Sequence, residues 1–428
     1  MAGHPYLTYT SSDRDVHRLV STKIFMNRVA DICILLTPCL LLFNHLTFLR
    51  PGGLEISVAY LVVSIFMACN ALIVGPKINR YIFIILISIT LLIVYKMATQ
   101  FGTQINSVAL IFIAMCAMSG ALVLSANTDH ELKRRVATIV VGVAVFHGLF
   151  LILQSAMFNG PGNFSLLNPL GPLSPMGPRS HGGFYDPHDG KAILRPNGLF
   201  SEPYAASLFQ LLGAVHYAGY NFAKKYLPLL IIILLGTMAT MSMAGILGGM
   251  VVAAYIALVQ YKLRVSLGIQ ILIATVAVSF LAYTAVFTFE DRLHEFSDPK
   301  QSGYIRITAP ILLIFYAMVE MPIGLPIGDL TVAQTLSFWP RGELGDSIDN
   351  GLFALMVFFG WPGIFFLGEC IRLSVKYARR APPSIIFLVL IWLGLFFNGG
   401  IWGPKAMSLT CFLIIMMPKS KEDSIANN

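Results

Sequence analysis

The sequence predicts an all-α integral membrane protein with about twelve transmembrane helices and two long loops on one side of the membrane. Three observations lead to this prediction. The 428 residues are 56% hydrophobic and only 12% charged, whereas soluble domains carry roughly 25% charged residues. Apolar runs of membrane-spanning length recur along the chain with little polar sequence between them. Basic residues also cluster on alternate connections. We therefore expect one polytopic membrane domain.

The organisation along the chain follows from these apolar runs. Residues 1–28 are polar and precede the first run, so we expect a cytoplasmic N-terminal segment and no cleaved signal peptide. The membrane domain then covers 29–418, and 419–428 form a tail. The candidate spans are 29–48, 54–75, 81–98, 106–125, 136–158, 203–222, 227–241, 243–260, 265–288, 351–370, 383–400 and 403–417. The seventh and eighth are short, and could fuse or form a broken pair around Ser242 and Gly245.

Charge predicts the orientation. With the N-terminus in the cytoplasm, nineteen of the 29 Lys and Arg residues fall on cytoplasmic segments, and the short loops opposite hold only Arg50. This asymmetry is the positive-inside pattern. The net charge of +8 therefore indicates topology, and we expect no nucleic-acid partner. Both termini would be cytoplasmic, and the loops 159–202 and 289–350 would face the periplasm of a bacterial inner membrane.

Cysteine and histidine usage gives no reason to expect a bound metal or other cofactor. The six cysteines all lie in or beside apolar runs, so neither a disulfide framework nor a zinc site is expected. One cluster has residue types that suit a divalent ion, namely His181, Asp186, His188 and Asp189. Its spacing matches no known motif, so we interpret this stretch as a solvated loop.

The remaining charged residues gather at the ends of the two long loops. The first loop contributes Arg195 and Glu202, and the second contributes Arg306, Arg341 and Asp349, with Asn350 opening the next span. Each has a structural alternative. Arg195 could be an interfacial anchor, and Glu202 before Pro203 could cap a helix. Asp349 could be a cap as well. Arg306 could pair with an acid such as Asp298, and Lys96 near a span end can snorkel to water.

Four stretches, in order, resemble motifs of the O-antigen polymerase and ligase superfamily of bacterial polysaccharide enzymes. They are RPNGLFSEP (195–203), MATMSMAGILGGMVV (238–252), SGYIRITAPILLIFYAMVEMPIGLPIGD (302–329) and SIDNGLFALMVFFGWPGIFFL (347–367). Ligases of this superfamily carry a histidine before the asparagine of the last stretch. Here Asp349 holds that position, which favours a polymerase. Tyr204 follows Glu-Pro where the family often has a serine soon after.

The resemblance implies a metal-independent, inverting glycosyltransferase at the periplasmic face. It would pass a growing glycan from undecaprenyl diphosphate to a new lipid-linked repeat unit. Arg195 and Arg306 would hold the diphosphate, because the guanidinium group binds phosphate oxygens in a bidentate manner. Glu202 or Asp349 would be the general base, with Glu202 preferred. The other residues expected to contact substrate are Arg341, Asn350 and Tyr204.

The partners expected from this resemblance are the undecaprenyl-diphosphate-linked donor and acceptor, membrane lipid and a separate chain-length regulator. Three alternatives stay open: a glycan ligase of the same superfamily, an exopolysaccharide or capsule polymerase, and a lipid-linked oligosaccharide transporter. A transporter is disfavoured because transporters place polar groups near the midplane and show inverted repeats. Here the sequence inside the spans is nearly free of charge, and neither half of the chain repeats the other.

Overall fold

The structure of the protein is a computed structural model that describes most of the chain. The described residues are 11–43, 47–49, 56–74, 80–159, 182–185, 192–200, 202–260, 297, 304–341, 345, 348, 350–397 and 404–418. Helices make up most of this part of the chain, as the sequence predicts. Two short antiparallel hairpins are an unexpected addition.

The described part of the chain holds thirteen α-helices. They are α1 (Ser11–Leu41), α2 (Val58–Val74), α3 (Arg80–Thr99), α4 (Ile105–Asn127), α5 (His130–Asn159), α6 (Pro203–Gly219), α7 (Leu227–Ala239), α8 (Met243–Tyr255), α9 (Ala309–Glu320), α10 (Thr331–Gln334), α11 (Gly351–Arg380), α12 (Ser384–Phe397) and α13 (Pro404–Ile415). In the hairpins, β1 (Thr47–Leu49) pairs with β2 (Ile56–Ser57), and β3 (Gly182–Tyr185) pairs with β4 (Ala192–Arg195). A 3₁₀ turn covers Lys224–Tyr226, and π-helical turns cover Ile256–Gln260 and Tyr304–Thr308.

Helices lie over eleven of the twelve predicted spans, and the remaining one, 265–288, lies outside the described residues. Among the described residues, four helices have the length and composition to cross a bilayer: Thr22–Leu41, Ile105–Ser125, His130–Met157 and Gly351–Arg380. Shorter apolar helices are Val58–Leu72, Phe83–Thr99, Ala244–Tyr255 and Ser384–Phe396. The architecture is that of a multi-pass all-α membrane protein.

Three helices extend beyond the apolar runs that predicted them. α1 begins at Ser11, so much of the polar segment 1–28 is helical. α5 begins at His130, and α11 continues to Arg380 rather than ending at 370. The hydropathy of a sequence identifies only the part of a helix that lies in lipid. Charged residues can prolong the helix into water because its backbone hydrogen bonds stay internal.

The seventh and eighth spans form a broken pair, which was one of the two alternatives. Thr240–Ser242 connect α7 to α8, and Met241 has a positive φ of 49° in this turn. Each helix has 13 residues, which corresponds to a length of about 20 Å. Each is therefore shorter than the roughly 30 Å hydrocarbon core of a bilayer.

α6 is the centre of the helix bundle. Its residues are buried without interruption from Ala206 to Gly219, and it contacts α5, α7, α8 and α12. Small residues allow close approach of the helices around it. A Cβ on Gly236 of α7 would lie 2.7 Å from Cα of Gly148 in α5, and one on Gly245 of α8 would lie 2.8 Å from Cβ of Ser207. Such close contacts are what hold helices together in lipid.

α11 consists of two segments, because the chain reverses at Gly360. This glycine has φ 55° and ψ −135°. A Cβ on Gly363 would lie 2.7 Å from the carbonyl oxygen of Leu355, whereas residues eight apart on a straight helix are separated by about 12 Å. Leu352 and Leu367 also line the same groove. The first segment therefore lies back alongside the second.

This reversal divides the predicted span at 351–370, which is therefore not one straight helix. The segment after the reversal carries five charged residues from Glu369 onward, so its apolar part is shorter than the roughly 20 residues of a full span. The segment before it, 351–359, packs through Phe353 against a separate apolar cluster that includes Leu313 of α9. Hydropathy could not separate the two segments, because both are apolar.

At one end of the bundle, side chains donate hydrogen bonds to backbone carbonyl oxygens near helix ends. The bonds run from Lys133 to Ser125 (2.8 Å) and Met417 (2.7 Å), from Tyr220 to Met416 (2.6 Å) and from Tyr377 to Pro418 (3.1 Å). These residues all belong to segments that the predicted alternation of spans assigns to the cytoplasmic side. The segment before α6 and the α3–α4 turn belong to the opposite side.

Candidate active site

The segment that leads into α6 forms a tight, buried turn. The N–H of Phe200 donates to the carbonyl of Asn197 at 3.0 Å, and both side chains are buried. Gly198 between them has φ +59°, a conformation that costs other residues about 1–2 kcal/mol. A Cβ at this position would also collide with the imidazole of His147. The glycine of RPNGLFSEP is therefore required by backbone geometry and by space.

Arg195 is the last residue of β4, and its backbone pairs with that of Gly182 in β3. β4 contacts α5, so the backbone of Arg195 lies next to this helix. The predicted role of Arg195 as a diphosphate ligand stays a prediction, as does its expected meeting with Arg306. Asp349, the alternative general base, lies outside the described residues.

Glu202 occupies the N-cap position of α6 but does not cap the helix with its side chain. Its carbonyl accepts the first helical bond, from Ala206 at 3.2 Å. Its carboxylate accepts no hydrogen bond from the first turn, and the residue is only half-buried. Pro203 begins the helix as the sequence predicts. The structural alternative for Glu202, a side-chain cap, is therefore not what the structure shows.

Arg306 lies more than one hundred residues further along the chain, yet it reaches the same end of the bundle. It sits on the exposed face of the π-helical turn that leads into α9. The hydroxyl of Tyr204, one residue into α6, lies within electrostatic reach of both Glu202 and Arg306. The same hydroxyl donates to the carbonyl of Gly394 in α12 at 3.4 Å. This bond joins α6 to α12, and the charges of Glu202 and Arg306 both act on the Tyr204 phenol.

The turn that carries Arg306 is anchored by its neighbour. The hydroxyl of Tyr304 donates to the carbonyl of Phe338 at 2.7 Å. Burial raises the pKa of this phenol, so it stays neutral and keeps donating over the physiological pH range. Because Tyr304 is two residues from Arg306, the anchor limits where the guanidinium can go.

Asn350 is the cap of α11, a role that the sequence analysis had considered only for Asp349. Its side-chain oxygen accepts from the N–H groups of Leu352 and Phe353, each at 3.1 Å, and the residue is buried. Substrate binding by Asn350 stays a prediction, with its oxygen already engaged in the cap. Arg341 is exposed, and its contact with substrate is likewise untested.

Lys96 does not snorkel to water. It is fully buried near the end of α3, and its ammonium donates to the carbonyls of Ile323 (2.8 Å) and Gly324 (3.1 Å). The amide of Gln100 also donates to Gly324, at 3.0 Å. The α3–α4 turn therefore holds the Pro/Gly turn that follows α9. Asp329 closes that turn, where its carboxylate accepts from the N–H and the hydroxyl of Thr331.

The four residues of the histidine and aspartate cluster considered as a metal site lie outside the described part of the chain. Sequence reasoning did miss a set of buried polar residues in the helices: His147 and Gln154 of α5 and Gln210 of α6. The available signal was their position inside apolar runs. Polar side chains in such runs are rare and commonly functional.

Two comparisons with known proteins bear on the identity of the chain. A family model described as WcaD colanic acid polymerase matches residues 32–419. An Escherichia coli K12 protein named "Putative colanic acid polymerase" is 22% identical over 166 residues, which cover 36% of this chain and 41% of that protein. The aligned region thus spans about two fifths of that relative.

Proposed function

The chain belongs to the WcaD colanic acid polymerase family, and from this premise we propose that it is a membrane glycosyltransferase that polymerises an exopolysaccharide. The observation that carries the proposal is the extent of the family match. It includes the turn before α6, the turn carrying Arg306 and both segments of α11. An exopolysaccharide is preferred to O-antigen as product, because colanic acid appears in both matching names.

The proposed reaction passes a growing glycan from polyprenyl diphosphate to a new lipid-linked repeat unit on the outer face of the inner membrane. An acceptor hydroxyl oxygen attacks the anomeric carbon of the donor sugar. The bond between that carbon and the diphosphate oxygen breaks, the hydroxyl proton passes to a general base, and polyprenyl diphosphate leaves. A single displacement of this kind inverts the configuration at the anomeric carbon.

The residues proposed for this chemistry are Arg306, Arg195 and Glu202. Guanidinium groups suit the diphosphate because they keep their charge and offer a planar pair of donors to phosphate oxygens. Glu202 suits the role of general base because its carboxylate accepts no hydrogen bond from an N–H group in the first turn of α6. Its position near Tyr204, within reach of Arg306, supports a shared site. Asp349 stays the alternative base.

An apolar groove supports a lipid-linked substrate. It lies between α11 and α12, has a volume of about 420 Å³, and is lined by Leu352, Leu367, Ile371, Leu388 and Trp392, among others. Trp392 lies two residues before the carbonyl that accepts from Tyr204. The groove therefore approaches the polar residues at Trp392, and it extends along α12 to Ile385 near the opposite end of the helix. We propose that a polyprenyl tail lies along this groove while its diphosphate faces Arg306.

The test is reconstitution of the purified protein with a polyprenyl-diphosphate-linked repeat unit, followed by gel analysis of chain length. We expect wild-type protein to build a ladder that stays attached to polyprenyl diphosphate. Glu202→Gln should lower the rate by roughly 10²–10⁴-fold, the usual contribution of a general base. Arg306→Gln should also abolish long chains, because the departing diphosphate loses a charge-assisted partner.

Matched controls are available at the other end of the bundle. Glu369 and Arg372 form an exposed ion pair at 2.7 Å on α11, and Glu369→Gln and Arg372→Gln should leave chain growth unchanged. Ladders of wild-type length from both Glu202→Gln and Arg306→Gln, at equal protein levels, would contradict the assignment of these residues. A wild-type product found on a different acceptor would indicate a ligase instead.

A further inference from the structure

We infer that His147 and Gln154 of α5 are positioning residues that hold the turn before α6 and thereby place Glu202 in the active site. The inference rests on the proposed function for the role of Glu202. The two side chains are buried inside the helix bundle, where α5 contacts the turn. Neither side chain is placed to touch substrate.

The two residues bind consecutive backbone amides of the turn. They are seven residues apart on α5, which puts them two turns apart on one face. The side-chain oxygen of Gln154 accepts from the N–H of Gly198 at 2.9 Å, and Nε2 of His147 accepts from the N–H of Leu199 at 3.3 Å. Both side chains are fully buried. Buried N–H groups need an acceptor, and here each one is supplied by α5.

A side chain of α6 bears on the orientation of the imidazole. The amide nitrogen of Gln210 lies 2.8 Å from Nδ1 of His147 and donates to the carbonyl of Ala144 at 3.1 Å. A neutral imidazole donates through one nitrogen and accepts through the other. Because Nε2 accepts from Leu199, the ring proton belongs on Nδ1. Donation of this proton to Gln210 requires the amide oxygen and nitrogen of Gln210 to exchange places, which gives up the bond to Ala144.

Aromatic side chains pack at the end of the turn, where Phe200 lies. Phe200 and Phe209 each meet the imidazole of His147 edge-on, with ring centroids 5.2 and 5.6 Å away. The two phenyl rings lie 5.5 Å from each other. Gly198 has no Cβ, which is what lets its backbone approach the ring of His147. The turn therefore has one closely defined position relative to α5 and α6.

The consequence for catalysis follows from sequence distance. Glu202 comes three residues after Leu199, and Arg195 comes three residues before Gly198. A turn fixed by α5 thus fixes the points from which both functional side chains extend. Misplacement of a reacting group by about 1 Å can cost on the order of 10²-fold in rate. Loss of the two amide bonds should therefore slow chain growth without removing any group that touches substrate.

The first experiment measures the turn directly by hydrogen–deuterium exchange of the peptide that contains residues 197–200, in detergent-solubilised full-length protein. We expect slow exchange of the Gly198 and Leu199 amides in wild-type protein. Gln154→Leu and His147→Asn should increase this exchange at least tenfold. His147→Gln should keep it slow, because its side-chain oxygen can take the place of Nε2. Unchanged protection in both Gln154→Leu and His147→Asn would overturn the proposed contacts, whatever the activity of the enzyme.

The second experiment measures chain growth in the same variants. We expect His147→Asn and Gln154→Leu to lower kcat on the order of 10- to 100-fold, with little change in KM for the lipid-linked unit. His147→Gln should recover most of the activity. The matched control is His216→Leu: His216 is fully buried in α6, but it bonds only to Leu212 of its own helix among the described residues. This variant should grow chains at the wild-type rate.

The possible outcomes separate the inference from the proposed function. Absence of chain growth by wild-type protein on lipid-linked units would refute the proposed function, while the exchange result would still decide the contacts. Normal kcat in His147→Asn, in a protein that does extend chains and does show a loosened turn, would refute the positioning role. Equal losses in His147→Asn, His147→Gln and His216→Leu would also refute it, because a general packing defect would explain them.

Discussion

At the residue scale, two residues that occupy the same position relative to a helix have different roles in the structure. Glu202 and Asn350 both stand immediately before a helix. Only Asn350 uses its side chain as a cap, through bonds to two first-turn amides, whereas the carboxylate of Glu202 accepts none. Residue type accounts for part of the difference, because Asn is among the preferred N-cap residues and Glu is not.

A prediction at this scale concerns Gly198. Gly198→Ala should lower chain growth by on the order of tenfold or more, because alanine is disfavoured at φ +59° and its Cβ would meet the ring of His147. The measurement is the rate of ladder formation by purified protein.

The control for Gly198 is Gly142→Ala in α5, where a Cβ meets nothing within 4 Å. This variant should behave like wild type. If Gly198→Ala forms ladders as fast as Gly142→Ala, the close fit of the turn is irrelevant to function.

At the element scale, the reversal within α11 organises the outer side of the molecule. The first segment of α11 packs with α9 in one apolar cluster, and the chain bends at Gly360 against Pro322 of the turn after α9. Lys96 binds the carbonyls of that same turn from α3. Three elements distant in sequence therefore hold one turn.

The prediction at this scale is that Gly360→Ala destabilises the protein. An added Cβ would meet backbone atoms of Pro322 and Gly324, and the positive φ alone costs about 1–2 kcal/mol. We expect a lower midpoint of thermal aggregation in detergent and less protein in the membrane.

Gly368→Ala in the same helix is the control for this substitution, because a Cβ there meets nothing within 4 Å. It should leave the midpoint unchanged. A Gly360→Ala protein as stable as Gly368→Ala would show that the chain can pass this point without the reversal.

At the scale of the whole molecule, the contacts agree with the orientation expected from charge. Side chains assigned to the cytoplasmic side bind one another's helix ends, as Lys133 does with Met417. On the other side, the α3–α4 turn docks on the turn after α9, where Gln104 donates to Ile327 at 2.8 Å. The membrane orientation itself stays a prediction.

Cysteine labelling of intact cells tests this orientation. In a protein whose native cysteines have been replaced, Phe101→Cys in the α3–α4 turn should react with an impermeant maleimide. Glu131→Cys at the start of α5 should react only after permeabilisation. Both wild-type side chains are exposed, so access depends on the side of the membrane. The reverse pattern would invert the topology and place the candidate site in the cytoplasm.

Also at this scale, the motifs predicted the class of enzyme better than its product. The stretches around Glu202, Arg306 and Asn350 resemble O-antigen polymerases, while the family that matches is named for colanic acid. The motif residues are the ones expected to act on the diphosphate and the acceptor. That chemistry does not depend on which sugars are joined. Residues outside these motifs would determine which sugars the enzyme accepts.

The sequence by itself determined the features that depend on local composition: the helical membrane architecture, the positions of most of its apolar helices and the helix start at Pro203. These follow from hydropathy and from the position of proline, which act over a few residues. Only the tertiary structure decided that α11 reverses at Gly360, that Lys96 binds a turn more than two hundred residues away, and that His147 and Gln154 hold the segment before Glu202. Those features depend on contacts between distant parts of the chain, and the free energy of such a contact is not encoded in either partner alone.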